Sequence, residues 1–369
     1  MKRAILYYPE LDSLRFFAFL LVLIHHALYS DSIPVWETVS VYGWMGVDLF
    51  LCLSAFLFAK LLYVEYQEKG DISVRYFYLR RALRIWPLYF TFLGIMLILS
   101  IQENGWDSTI IKRSIGMLTF TDNIFSALMG YNTVILFSPH IWTISYEEQF
   151  YAVIPWVLRK LYQIKISTTG LILILVFLIG SLTRAIFIIA KVAHPAIWVL
   201  PITHFESIFG GLMVGLGLFD KRTKKIPGWI LFLTGILALF LVTTLPNINK
   251  IRWSLMLAYP LIGLGTSLLL LAVMQGDLWP LSHLFKNKTL GYLGKISYGL
   301  YVFHIAGLNL AYKFTDVFVS QERLFVYPVT GLLLGLVITI MMAIISYQFL
   351  ERPFLHLKER FTFIKSRPI

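Results

Sequence analysis

Long apolar runs separated by short polar connections repeat along the whole chain. A helix that crosses a bilayer needs roughly 20 apolar residues, because backbone groups in hydrocarbon must bond within the segment. The pattern therefore predicts an all-α fold, a polytopic membrane helical bundle of about ten transmembrane helices. The predicted spans are 11–30, 44–65, 84–101, 140–158, 170–190, 203–219, 227–245, 254–274, 296–313 and 325–350.

The connections alternate in basic content. One alternating set holds 23 of the 32 Lys and Arg residues, and the other holds 8. Lys and Arg resist translocation, so the richer side is predicted to be cytoplasmic, with both termini there. We find no internal repeat or linker and predict a single membrane domain over 1–369. Its bundle covers about 11–354, and 355–369 forms a short basic cytoplasmic tail.

Composition supports this class. The chain is 58% hydrophobic and 14% charged, whereas a soluble domain is nearer half apolar and a quarter charged. The net charge of +12 follows from the basic connections, so we expect the lipid bilayer as a partner and no nucleic acid. We expect a bacterial inner (cytoplasmic) membrane, and an uncleaved first helix because Glu10, Asp12 and Arg15 interrupt any signal-peptide pattern. The single cysteine, Cys52, excludes an intramolecular disulfide and a cysteine metal cluster, and we predict no metal site.

Ionisable side chains inside the predicted spans fall into two layers. Such groups are costly in hydrocarbon and usually face the bundle interior, so each is a candidate for a site. Counting about 1.5 Å per helical residue, the outer layer holds His26, Asp48, Glu147, Arg184, His204 and Glu206, with His304 near mid-membrane. The cytoplasmic layer holds Arg15, Arg75, Arg80, Arg81, Arg84, Lys295 and Arg352. The inner layer suits an anionic ligand, and the outer layer suits proton transfer.

Structural interpretations stay open for these residues. Arg15 can extend to the interface, Arg81 and Arg84 can be positive-inside anchors, and His304 can be an ordinary core residue. Arg81 and Arg84 do share a helix face, however, and arginine suits bidentate phosphate contacts.

In two pairs of adjacent ionisable residues, only one member is the functional candidate. His25 and His26 point about 100° apart on a helix, so at most one of them faces a common site. Ser145-x-x-Glu148 fits a capping box, which gives Glu148 a structural role and leaves Glu147 as the functional candidate.

Six segments, in order, resemble the acyltransferase-3 family of integral membrane O-acyltransferases. They are Arg15-x10-His26, Gly46-Val47-Asp48-Leu49-Phe50 with Ser54-Ala55-Phe56, Arg81-x-x-Arg84, the ten residues Trp142 to Tyr151, the twelve residues Leu293 to His304, and Leu350-Glu351-Arg352-Pro353-Phe354. Ala55 departs from the family's usual glycine, and Thr143 from its usual serine. No hydrolase-like domain follows the bundle, so the resemblance implies the stand-alone form.

The resemblance implies transfer of an acyl group, most often acetyl, from a cytoplasmic coenzyme A thioester to a hydroxyl of a cell-surface glycan or a metabolite. Acyl-CoA is then a donor substrate, and no cofactor is bound. His26 is the predicted general base, because an unperturbed histidine titrates near neutrality. Glu147 would orient its imidazole or position the acceptor, and Arg81 and Arg84, helped by Arg15, would bind the donor phosphates. Direct attack by the acceptor is the simplest route, with a covalent acyl-histidine as the alternative.

Further residues are candidates for lining the site. They are Asp48, Ser54, Trp142, Tyr151, Tyr298, Tyr301 and His304. The aromatic ones can stack on a sugar, or they can belong to an interfacial belt or the core. The acceptor, the acyl chain and the oligomeric state stay open. The main alternative function is a transporter or flippase of a lipid-linked glycan, for which repeated halves and broken helices are expected; the sequence has no such symmetry.

Overall fold

A computed structural model gives the fold as a bundle of helices, with no strand among the residues that it describes. It describes 7–28, 34–223, 225–250, 252–278, 280–323 and 325–364. The end of the first predicted span, at 29–30, and the predicted topology determinants Lys2, Arg3, Lys224, Lys365 and Arg367 lie outside these ranges.

Eighteen α-helices are found in the described ranges. The first nine are α1 (Pro9–His26), α2 (Pro34–Tyr42), α3 (Met45–Lys69), α4 (Val74–Asn104), α5 (Ser108–Leu118), α6 (Asp122–Met129), α7 (Trp142–Leu161), α8 (Ile166–Ile189) and α9 (Ala196–Val199). The others are α10 (Glu206–Gly215), α11 (Asp220–Thr223), α12 (Gly228–Thr243), α13 (Leu255–Gln275), α14 (Leu281–Phe285), α15 (Lys288–Lys295), α16 (Ser297–Phe318), α17 (Val326–Ser346) and α18 (Arg352–Glu359). A π-helical turn, Tyr347–Glu351, joins the last two.

Five helical segments in the described ranges are long and apolar enough to cross a membrane. They are α3, α4, α8, α13 and the continuous helix Val326–Glu359. An all-helical membrane protein is thus confirmed, while the figure of about ten spans and the cytoplasmic termini stay predictions. Helix α1 does not qualify, since Glu10, Asp12 and Arg15 shorten its apolar part.

Helix α7 begins earlier than the capping box predicts. It starts at Trp142, and its N-cap residue, Ile141, has no side-chain capping bond. Ser145 therefore lies within the helix, where its hydroxyl accepts a bond from the Asp122 N–H at 3.3 Å. The capping role for Glu148 was wrong, because tertiary contacts rather than local capping fix where this helix begins.

Small residues let α10 lie against α3. A Cβ added at Gly211 would sit 2.1 Å from the Cys52 carbonyl oxygen, and one at Gly215 would sit 2.5 Å from the Ala59 Cβ. Gly211 also faces Ala55, the residue that stands where the family usually has glycine. The close approach of the two helices at this point therefore depends on the glycine of α10.

Charged groups of the predicted outer layer fasten α3, α8 and α10 together. Arg184 and Glu206 form a completely buried ion pair, and Arg184 also donates to the Thr203 and Leu255 carbonyls at 2.8 and 3.2 Å. Asp48 Oδ1 lies 2.9 Å from His204 Nε2. These side chains come together as the depth count predicts, but they bond to one another inside the protein.

Candidate active site

A cavity of about 140 Å³ lies among α1, α3, α4, α7 and α16. Many of the candidate residues line it: Arg15, Ser54, Arg81, Arg84, Glu147, Tyr151, Tyr298 and Tyr301. Four other candidates, namely His26, Asp48, Trp142 and His304, are not in its lining. The structure therefore divides the predicted set into a cavity group and a group outside the cavity.

The arginines of the cavity differ in how they are neutralised. Arg15 forms an ion pair with Asp12 at 3.2 Å, and Asp12 also accepts from Tyr7 at 3.0 Å. Within the described part of the chain, Arg81 and Arg84 form no ion pair, and the buried Arg81 Nε lacks a hydrogen-bond partner. The Arg81 guanidinium instead lies 4.7 Å from the centre of the Phe58 ring. Two cations without a contacting carboxylate favour an anionic ligand.

Glu147 belongs to this cavity and not to the histidine layer. Its carboxylate accepts from the Tyr151 hydroxyl at 2.8 Å, and the charges of Arg15 and Arg81 lie nearby. No hydrogen bond joins Glu147 to His26 in the described residues, so the predicted orienting contact is absent. The reason is position along α7: Thr143, whose hydroxyl contacts that of Tyr301, comes four residues before Glu147, so Glu147 lies about 6 Å further along the helix.

A pair of hydroxyls ends the cavity on the side of the histidines. Thr143 Oγ1 and the Tyr301 hydroxyl are 2.7 Å apart, and both line the cavity. Both also lie within hydrogen-bond distance of the His140 carbonyl oxygen, at 2.9 and 3.3 Å. Thr143 thus keeps the hydroxyl that the family's usual serine would supply.

Beyond that pair lie His304 and His26. His304 Nδ1 is 2.6 Å from the Tyr301 carbonyl oxygen, which can only accept, so this nitrogen carries a hydrogen and a neutral His304 leaves Nε2 as an acceptor. His26 Nδ1 lies 3.2 Å from that Nε2 and 2.9 Å from the Val22 carbonyl oxygen. His26 Nδ1 is therefore the donor, and its Nε2 has an available lone pair.

His26 is the member of this layer that is open to the surroundings. Its side chain is exposed, whereas His304 is fully buried. His25 turns away, with Nδ1 2.6 Å from the Ser40 carbonyl oxygen, in agreement with the prediction that only one of the two adjacent histidines faces a common site.

His140 is a site neighbour that the sequence analysis did not single out. It is 3% exposed, and neither ring nitrogen makes a hydrogen bond within the described residues. Its ring centre lies 4.6 Å from that of His304 and 5.2 Å from that of Tyr301. Its position three residues after Phe137, whose φ is positive, gives no periodic signal in the sequence.

Two predicted lining residues have structural contacts instead. Asp48 is 1% exposed and bonds to His204 and to the Ser207 hydroxyl. Trp142 packs edge-on against Trp198, with ring centres 5.9 Å apart. Neither residue lines this cavity, because each is turned into the protein by partners from 198–207, and their role as site-lining residues stays a prediction. Tyr298 does line the cavity, but its hydroxyl is committed to the Ile85 carbonyl at 2.9 Å.

Comparison with known proteins agrees with the motifs. A sequence model described as an acyltransferase domain matches residues 8–350. The chain is 25% identical to the "Putative O-acetyltransferase SACOL0978" of Staphylococcus aureus (strain COL) over 381 residues, and 24% identical to the O-acetyltransferase OatA of Staphylococcus aureus (strain NCTC 8325 / PS 47) over 374 residues. Each alignment covers 94% of this chain and 57% of the relative, so the chain spans little more than half the length of these proteins. No solved structure matches. On the family match over most of its length, the chain belongs to the acyltransferase-3 family.

Proposed function

We propose that this protein transfers an acyl group, acetyl in the simplest case, from a coenzyme A thioester to a hydroxyl of a cell-surface glycan or a related acceptor. The observation that carries the proposal is the arrangement of charged and hydroxyl groups in and beside the cavity. Unpaired arginines lie within it, and the Thr143–Tyr301 hydroxyl pair separates it from a histidine with an available lone pair. The names of the relatives support an oxygen acceptor and an acetyl group.

The donor would enter from the side predicted to be cytoplasmic. Its phosphates suit Arg81 and Arg84, which have no contacting carboxylate among the described residues, since charge-assisted contacts from arginine to phosphate are short and strong. The arm that ends in the thioester would extend along the cavity toward Tyr301. Glu147, held by Tyr151, would limit the positive charge and help to position the donor.

The acceptor would approach from the exposed face of His26. Its hydroxyl oxygen attacks the thioester carbonyl carbon, the C–S bond breaks, and His26 Nε2 takes the hydroxyl proton. Imidazole suits this step because one ring nitrogen can take a proton while the other donates a hydrogen bond. The resulting imidazolium can share its Nδ1 proton with His304 Nε2, 3.2 Å away, and later return a proton to the coenzyme A thiolate.

A direct binding measurement tests the donor assignment without knowledge of the acceptor. We expect the detergent-purified protein to bind acetyl-CoA saturably in titration calorimetry, with one site per chain. If a folded and monodisperse preparation gives no heat of binding, the donor is a different one, and transport of a lipid-linked glycan becomes the leading function.

A further inference from the structure

A second, smaller cavity adjoins the first on its basic side. Its volume is about 40 Å³, and Arg81 lines both cavities. The other polar residues of its wall are Glu65, Arg80, Lys358 and Thr362. Lys358 lies beyond the end of the family match at residue 350, and neither the motifs nor the proposed reaction uses it.

Positive charge exceeds negative charge around this cavity. Arg80 bonds to Glu65 at 3.1 Å, but Lys358 forms neither an ion pair nor a hydrogen bond through its side chain within the described ranges. Lys358 lies within electrostatic reach of Arg80, Arg81 and Arg84, and the carboxylate of the adjacent Glu359 offsets only part of that charge. The wall of the small cavity itself holds three cations, Arg80, Arg81 and Lys358, and one carboxylate, Glu65. Such an excess of positive charge is unfavourable unless an anion joins it.

The segment that carries Lys358 is docked onto the start of α4. Arg80 donates to the Phe361 carbonyl at 3.1 Å, and the Tyr76 ring centre lies 5.9 Å from that of Phe361 and 5.3 Å from that of Phe363. The lysine is therefore held at the cavity by the packing of its neighbours and does not depend on its own contacts for placement.

We propose that Lys358, with Arg80 and Arg81, binds the 3′-phosphate on the ribose of coenzyme A. The inference rests on the proposed donor. Coenzyme A carries two separate anionic groups, the pyrophosphate that continues into its arm and the ribose phosphate at its far end. The main cavity takes the arm with the pyrophosphate at Arg81 and Arg84. The small cavity, next to Arg81 and away from the thioester, takes the second group.

The test compares acetyl-CoA with its analogue that lacks the 3′-phosphate, using calorimetry on the full chain. The wild type should bind acetyl-CoA about tenfold more tightly than the analogue, since a contact with a charged group is worth a factor of that order. Lys358→Gln should weaken acetyl-CoA binding about tenfold and leave the analogue unchanged, which removes the preference. Lys358→Arg should keep it.

Lys286→Gln, an exposed lysine on the same predicted side, is the matched control and should behave as the wild type. If Lys358→Gln keeps the full preference, or weakens both compounds equally, the ribose phosphate is bound elsewhere and this subsite is refuted, while the donor assignment stands. If the wild type binds neither compound, the donor assignment fails and the subsite fails with it. Unchanged melting temperatures of the variants exclude misfolding as the cause of a loss.

Discussion

Two arginines of the interior, Arg184 and Arg81, have opposite surroundings. Arg184 has a carboxylate and two carbonyls as acceptors and is fully buried. Arg81 lines open space, has an unpartnered Nε, and touches a phenyl face in place of an anion. Both were plausible site residues from their depth alone. The bonding partner, rather than the depth, therefore separates a structural charge from one that is available to a ligand.

The histidines His204 and His26 also differ in their bonding partners. Both ring nitrogens of His204 have bonding partners, namely Asp48 and the Trp198 carbonyl, and its ring stacks on Trp198 at 4.1 Å between centres. His26 uses one nitrogen and leaves the other available. A base needs that second nitrogen, so His26 suits proton transfer and His204 does not.

The largest effect is expected from the removal of His26. We expect His26→Ala to lower acyl transfer by about 10³-fold, within the usual contribution of a general base, and to leave acetyl-CoA binding near the wild-type value. Transfer would be followed as radiolabel moving from acetyl-CoA into the envelope fraction of expressing cells. His25→Ala, one residue away and bonded to Ser40, is the control. Wild-type transfer by folded His26→Ala protein would exclude His26 as the base.

The next largest effect should come from the outer network. Glu206→Gln leaves the buried Arg184 charge without its carboxylate, and breaking such a pair costs about 3 kcal/mol. Thermal unfolding in detergent should show this destabilisation, with acetyl-CoA affinity unchanged below the transition. Glu103→Gln, at an exposed position, should have no effect on unfolding. A stable Glu206→Gln protein with weakened donor binding would reverse the structural assignment.

Replacement of the cavity arginines should have the opposite effects: weaker acetyl-CoA binding and nearly unchanged stability. Removing two charge-assisted hydrogen bonds to phosphate together corresponds to about 10²-fold in affinity. Arg81→Ala/Arg84→Ala should therefore raise the acetyl-CoA dissociation constant by that factor in calorimetry, with little change in unfolding temperature. Arg75→Ala, exposed on the same helix, is the control. Equal donor affinity in the double variant and the control would mean that these arginines are positive-inside anchors and do not bind the donor.

The sequence predicts the parts of this structure that depend on local pattern. Apolar runs predict helices, and the ordered motifs predict the family, because both are properties of neighbouring residues. The depth count puts Arg15, Arg81 and Arg84 in one layer, and they do line one cavity.

What the sequence could not predict depends on packing between distant segments. Asp48 turns inward because His204 and Ser207, about 160 residues away, bind it. Glu147 lies away from the histidines because Thr143, one helical turn earlier in α7, is the residue that contacts Tyr301. His140 and Lys358 reach the site through an irregular turn and a docked terminal segment, neither of which has a periodic signature.

The smallest predicted effect concerns an exposed ion pair, in contrast to the buried Arg184–Glu206 pair. Asp71, in the connection between α3 and α4, accepts from Arg159 of α7 at 2.6 and 2.5 Å, and the two side chains are 48% and 36% exposed. The Arg159 hydrogen bond lowers the pKa of Asp71, with the Ile72 N–H contributing. The pair's stabilisation is therefore complete above the ordinary carboxyl pKa of about 4 and is lost as the pH falls through the lowered value. Because water and salt screen such pairs, Asp71→Asn should lower the melting temperature by less than about 2 °C at pH 7, and the difference should vanish in high salt. A shift as large as that of Glu206→Gln would mean that exposure, too, fails to distinguish structural charges.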